Sequence, residues 1–196
     1  MYNKKIIQSS VTILLGVALL GGSLAWFVDR QEKSNVFATG KVDVRVPQGT
    51  SDTLIRIEFT QKLLKNGEEV NDSDGIFSTG VDGYSEFKPI FAKEYDNYWI
   101  QDANNKNVYY YNKVVNGKNG EVITEDIHKS VELTDKAGNS YQGLDYTIDI
   151  KADAIQATNK AYESWVKNTP FENWKQADQS ILDLLKTITA NIDVNN

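Results

Sequence analysis

No cysteine occurs anywhere in the chain, and histidine occurs once, as His128. The first absence excludes disulfide bracing and thiol chemistry. The second excludes a two-histidine zinc motif such as HExxH and would force any Ser-His-Asp triad through a single residue. His128 stands between Ile127 and Lys129 at a predicted strand start, where a solvent-edge residue is the simpler reading than a catalytic base. Gly138 to Gly143 holds a serine among glycines, but Gln142 stands where a nucleophile elbow needs glycine. A phosphate-cradling loop and an internal repeat are also missing, and so is an excess of positive charge. With 21 basic and 27 acidic side chains the formal charge is −6, which argues against nucleic acid or anionic lipid as the main partner. No cofactor is expected.

What is present begins at the N-terminus. Lys4 and Lys5 precede an apolar run from Val11 to Leu20, and no charge occurs between Lys5 and Asp29. Ser23 and Ala25 supply the small side chains that a signal peptidase must fit. Residues 1–25 therefore read as an export signal cut between Ala25 and Trp26. The alternative is a retained membrane helix, since the uncharged stretch is long enough to span a bilayer. Cleavage would leave residues 26–196, enough for one domain with a sizeable core, and would make the charge two units more negative. The membrane would be a partner only before processing. No sortase-type sorting signal and no second span follow, so any wall attachment would be indirect.

The order Gly21-Gly22, then Ala25-Trp26-Phe27-Val28-Asp29, then Phe37-Ala38-Thr39-Gly40-Lys41-Val42-Asp43-Val44 resembles the start of TasA/camelysin-like exported proteins with a SipW-type signal peptide. Tyr98-Trp99-Ile100, Val108 to Val115 and Ala152 to Ala157 resemble the clostridial branch of the alternate signal-mediated exported protein family. The resemblance implies a SipW-type signal peptidase as export partner, and fibre subunits that donate an N-terminal strand to the next copy. Some relatives are catalogued as metalloproteases. One histidine makes a zinc site of the usual composition implausible here, and protease activity is not carried over.

Alternation organises the middle of the chain. Val42, Val44 and Val46 fall on one strand face, and Ile55, Ile57 and Phe59 on another with Arg56 and Glu58 opposite. Strands are also predicted around Ser85 to Phe91, with Pro89 confining it to a sheet edge, over Ile127 to Thr134, and over Leu144 to Lys151. Asn97 to Gln101 and Val108 to Val115 read as a hairpin. The fold class expected is mainly β, an Ig-like or jelly-roll β-sandwich with a C-terminal helical extension. Residues 26–46 form an N-terminal arm and first strand, 47–156 the sandwich, and 157–196 the helical extension. Within the last, Thr169-Pro170-Phe171-Glu172 has capping-box spacing and predicts a helix over 170–190. A shorter helix is predicted over 157–167.

Three features carry candidate functions. Asp72, Asp74 and Asp82 in a glycine-containing loop resemble the opening of a calcium site, but Gly83 stands where the bidentate Glu belongs, so a solvated loop is the simpler reading. Tyr109-Tyr110-Tyr111 beside Tyr98 and Trp99 reads as cross-strand packing, with a carbohydrate platform as the sharper alternative. Trp26, Phe27 and Val28 form an apolar head that could add as a strand to another copy. Between Val46 and Ile55 the chain offers only a turn, where the resemblance implies an extra strand; the gap leaves a sheet edge open.

The function expected is a secreted, non-enzymatic structural protein of a Gram-positive surface or biofilm matrix. It would self-assemble into fibres with copies of itself or a homologous subunit. The alternatives are a camelysin-like cell-surface metalloprotease and an accessory or terminal subunit that binds another fibre protein through its tail.

Overall fold

The computed structural model describes residues 11–14, 29–36, 42–49, 52–70, 79–80, 83–84, 87–133, 144–167, 176–190 and 192. The strands are β1 (Val11–Leu14), β2 (Asp29–Val36), β3 (Val42–Val46), β4 (Thr53–Lys65), β5 (Glu68–Glu69), β6 (Thr79–Gly80), β7 (Gly83–Tyr84), β8 (Phe87–Phe91), β9 (Trp99–Gln101), β10 (Val108–Tyr111), β11 (Val122–Ile123), β12 (His128–Leu133) and β13 (Asp145–Gln156). Two helices follow, α1 (Glu163–Lys167) and α2 (Gln179–Thr189). The fold is mainly β, as its alternating sequence predicts.

The larger sheet runs β2-β13-β4-β10-β9, with β5 added to β4. Its spine is the antiparallel β4–β13 pair, held in unbroken register from Thr53↔Gln156 to Leu64↔Asp145. The smaller sheet runs β1-β3-β12-β8, with β11 also on β3. Apart from the parallel β1–β3 contact, the pairings are antiparallel.

Period-two alternation decides which side chains each face buries. Ile55, Ile57 and Phe59 of β4, Tyr109 and Tyr111 of β10, and Ile150, Ala152 and Ala154 of β13 meet Val44, Val46 and Ile127 from the smaller sheet. This is the interior of a two-sheet sandwich. The opposite face of the larger sheet forms a second core. There Leu54, Val108, Tyr110 and Ile155 pack under Ala161, Tyr162, Trp165, Ala177, Ile181 and Leu185. The helical segment thus makes a third layer, and it covers its own sheet.

That cover corrects one expectation. The helix predicted over 170–190 begins only at Gln179, where the Asp178 side chain caps it by accepting from the Ser180 N–H at 2.7 Å. Residues 176–178 ahead of it are held by the β9–β10 turn. Asp102, fully buried, accepts from the Asp178 N–H at 3.2 Å, and Asn104 Nδ2 donates to the Gln176 carbonyl at 2.9 Å. These long-range bonds outcompete helical continuation. Thr169 and Phe171 lie outside the described residues.

Other elements follow prediction with shifted ends. The hairpin is β9–β10, paired Tyr111↔Trp99 and Tyr109↔Gln101. The strand with Pro89 is β8, the last in its sheet, as the missing amide of proline requires.

Candidate functional site

Four sheet edges bound the sandwich, and the side where β1, β2 and β3 meet is the one that bears on assembly. β3 alternates between fully buried Val44 and Val46 and half-buried Asp43 and Arg45. On one flank the Val44 N–H donates to Thr124 Oγ1 and the Val44 carbonyl accepts from the Thr124 N–H, both at 2.9 Å. Val46 and Arg45 register with β11, and Val42 with His128. Successive residues of a strand turn their backbone groups to opposite neighbours. Since Val44 faces Thr124, the N–H and C=O of Asp43 and of Arg45 face the other flank. That flank holds β1, in parallel register from Val11↔Val42 to Leu14↔Arg45. The flank of β3 that turns away from Thr124 is therefore occupied by Val11–Leu14.

Asp29 to Val36 lies on the same side as β2, antiparallel to β13 from Ala154↔Asp29 to Thr147↔Val36. It has one neighbour in its sheet and lies against β1 across the sandwich. This part of the predicted arm is thus seated on its own domain in the single chain. Ala25, Trp26, Phe27 and Val28 lie outside the described residues, as do Asp72, Asp74 and Asp82.

The aromatic platform is overturned. Trp99, Tyr109, Tyr110 and Tyr111 are all buried. Trp99 and Tyr111 pack at 5.0 Å between ring centres, Phe59 and Tyr109 edge-to-face at 5.7 Å, and Phe91 stacks on Tyr95 at 4.3 Å. Polar ends are tied as well: Trp99 Nε1 donates to the Glu125 carbonyl at 2.8 Å, and the Tyr111 hydroxyl donates to the Glu125 carboxylate. Such rings are core, with no face for a sugar. Tyr110, as alternation predicts, points the other way, onto Trp165 at 5.8 Å.

Around Tyr110 lies a polar centre that sequence reasoning missed. Arg56 and Asp153 sit opposite each other in register and are both fully buried. Arg56 donates from Nη2 at 2.9 Å and from Nε at 3.2 Å to one Asp153 oxygen. Its guanidinium also lies 4.7 Å from the Trp165 ring. Burial pushes the Tyr110 hydroxyl well above the usual tyrosine range, with Arg56 countering. The strand pattern placed Arg56 opposite the apolar face; only the helical layer makes that side an interior.

His128 contributes backbone pairing to both Val42 and Phe91. Among the described residues no three His, Cys, Asp or Glu side chains gather where they could hold a metal. Nor is any helix among them long and apolar enough to cross a membrane.

The architecture defines a two-sheet β-sandwich protein with its outer face roofed by C-terminal helices. Its residues 1–108 match the profile of the camelysin metallo-endopeptidase family, more than half of the chain, and it belongs to that family. No curated protein and no solved structure matches it significantly. The family description implies a metal, and the donors present do not fit a conventional zinc centre. The whole chain has one histidine and no cysteine, and the described acids are not clustered.

Proposed function

We propose that this protein is an exported, non-enzymatic structural subunit of a Gram-positive cell surface or biofilm matrix. Its leader is removed between Ala25 and Trp26 by a SipW-type signal peptidase. Copies then join head to tail, each giving its N-terminal arm, led by Trp26, Phe27 and Val28, to a sheet edge of the next. The observation that supports this most is the position of β2. Directly following the apolar head, it is the terminal strand of its sheet and has a single neighbour, β13. A strand held on one side only can be released to follow the apolar head onto another copy. Because donor and acceptor are different surfaces, the contact is heterologous and continues into an open filament.

The test is Phe27→Asp in the processed protein, viewed by electron microscopy at high concentration with circular dichroism as the folding control. A folded monomer without filaments is expected. Filaments that persist in this variant reject the donor role.

The family description favours a second reading, a cell-surface metallo-endopeptidase. Casein cleavage by the purified protein, lost on chelation and accompanied by bound metal, would establish it in place of the first. A third role, as terminal subunit of a different fibre, would give mixed filaments with a homologous subunit and none alone.

A further inference from the structure

We infer that β1 is an intramolecular cap: until the leader is cut away, Val11–Leu14 occupies the edge of β3 that receives the apolar arm of a second copy. The inference rests on the fibre reading and adds the acceptor surface and its control. Three of the four sheet edges carry devices that discourage pairing. β8 contains Pro89, β9 is three residues long, and β2 reads Asp-Arg-Gln-Glu-Lys over its first five residues. The fourth edge among the described strands is β1, which is seated on β3. That strand, Val-Thr-Ile-Leu, belongs to the segment upstream of the predicted cleavage point.

Its removal would uncover the N–H and C=O of Asp43 and Arg45, the backbone groups that face away from Thr124. The same cut makes Trp26-Phe27-Val28 the leading end of the chain, a second apolar run. One hydrolysis thus creates donor and acceptor together. Because the cap is in the same molecule, it meets β3 without the translational cost that a second copy bears, so β3 stays covered in the uncut chain. The buried core side chains described lie at Val44 and beyond.

The test is amide hydrogen exchange at Asp43 and Arg45, with electron microscopy, on the uncut chain 1–196 and on the chain after processing, in the same mild detergent. The uncut chain is expected to protect both amides and form no filaments. The processed chain, kept monomeric by Phe27→Asp, is expected to lose that protection. The processed wild type regains it as filaments grow. T12P/I13P in the uncut chain removes two successive leader amides and is expected to expose Asp43 and Arg45 without any cleavage. If the processed chain polymerises while these amides exchange alike in the cut and uncut monomers, the cap is refuted and the fibre reading stands. If the processed chain never polymerises, the fibre reading fails and the acceptor role falls with it.

Discussion

At the scale of single residues, Arg56 and Asp153 are the most consequential pair in the fold. Both are fully buried, and their cross-strand register puts opposite charges face to face beneath Trp165. Removing one partner strands the other charge in an apolar layer, which costs roughly 3–5 kcal/mol. Arg56→Met should therefore lower unfolding free energy by about that amount in urea titration. The double variant Arg56→Met/Asp153→Leu should recover most of the loss, because no charge is left without a partner. A double variant as unstable as the single one would mean that the ion pair itself, beyond mutual neutralisation, holds the layer.

At the scale of elements, the β9–β10 turn and the approach to α2 act as one unit. Asp102 accepts from the Asn104 and Asn105 amides at 2.8 and 3.2 Å within its own turn, and from the Asp178 amide across the molecule. Asp102→Ala removes the acceptor that joins the turn to the Asp178 amide, at about 1 kcal/mol for a part-buried bond. The expected outcome is faster hydrogen exchange across Gln179–Thr189 with β4 and β13 still protected; uniform loss throughout would refute a local role. Elements differ in how far their sequence betrays them. Val44 with Val46 and Ile55 with Ile57 announce their faces by alternation alone, and Pro89 announces an edge. The start of α2 is not legible in the sequence, because Asp178 caps it while Asp102, 76 residues earlier, holds the Asp178 amide in place. Val11–Leu14 was illegible for a different reason: an apolar run between charges looks the same whether it enters a membrane or a sheet. The burial of Arg56 is not legible because its strand names two faces and cannot say that a later segment covers the second.

For the molecule as a whole, the roof over the larger sheet is as much a core as the sandwich interior. Among the described residues, Leu54, Val108, Tyr110 and Ile155 are covered mainly by residues from Ala157 onward. Deleting residues 157–196 should bare this apolar face together with the Arg56–Asp153 pair. The expected product binds a hydrophobic dye and associates non-specifically. A soluble, dye-silent monomer would show that the helical tail is dispensable to the fold, and would favour its use as a docking module for another fibre protein.

The pairing of Thr53–Lys65 with Asp145–Gln156 also sets a timetable. If the chain is exported as proposed, threading from its leading end would expose β4 early, while β13 would arrive only after most of the polypeptide had crossed. Contacts so distant along the chain form slowly, so the β13 side of β4 would stay unpaired while the chain between Lys65 and Asp145 crosses, even though β5 and β10 pair with β4 sooner. Translocation speed and the care of that waiting strand, rather than local folding, would then govern how much finished protein reaches the exterior.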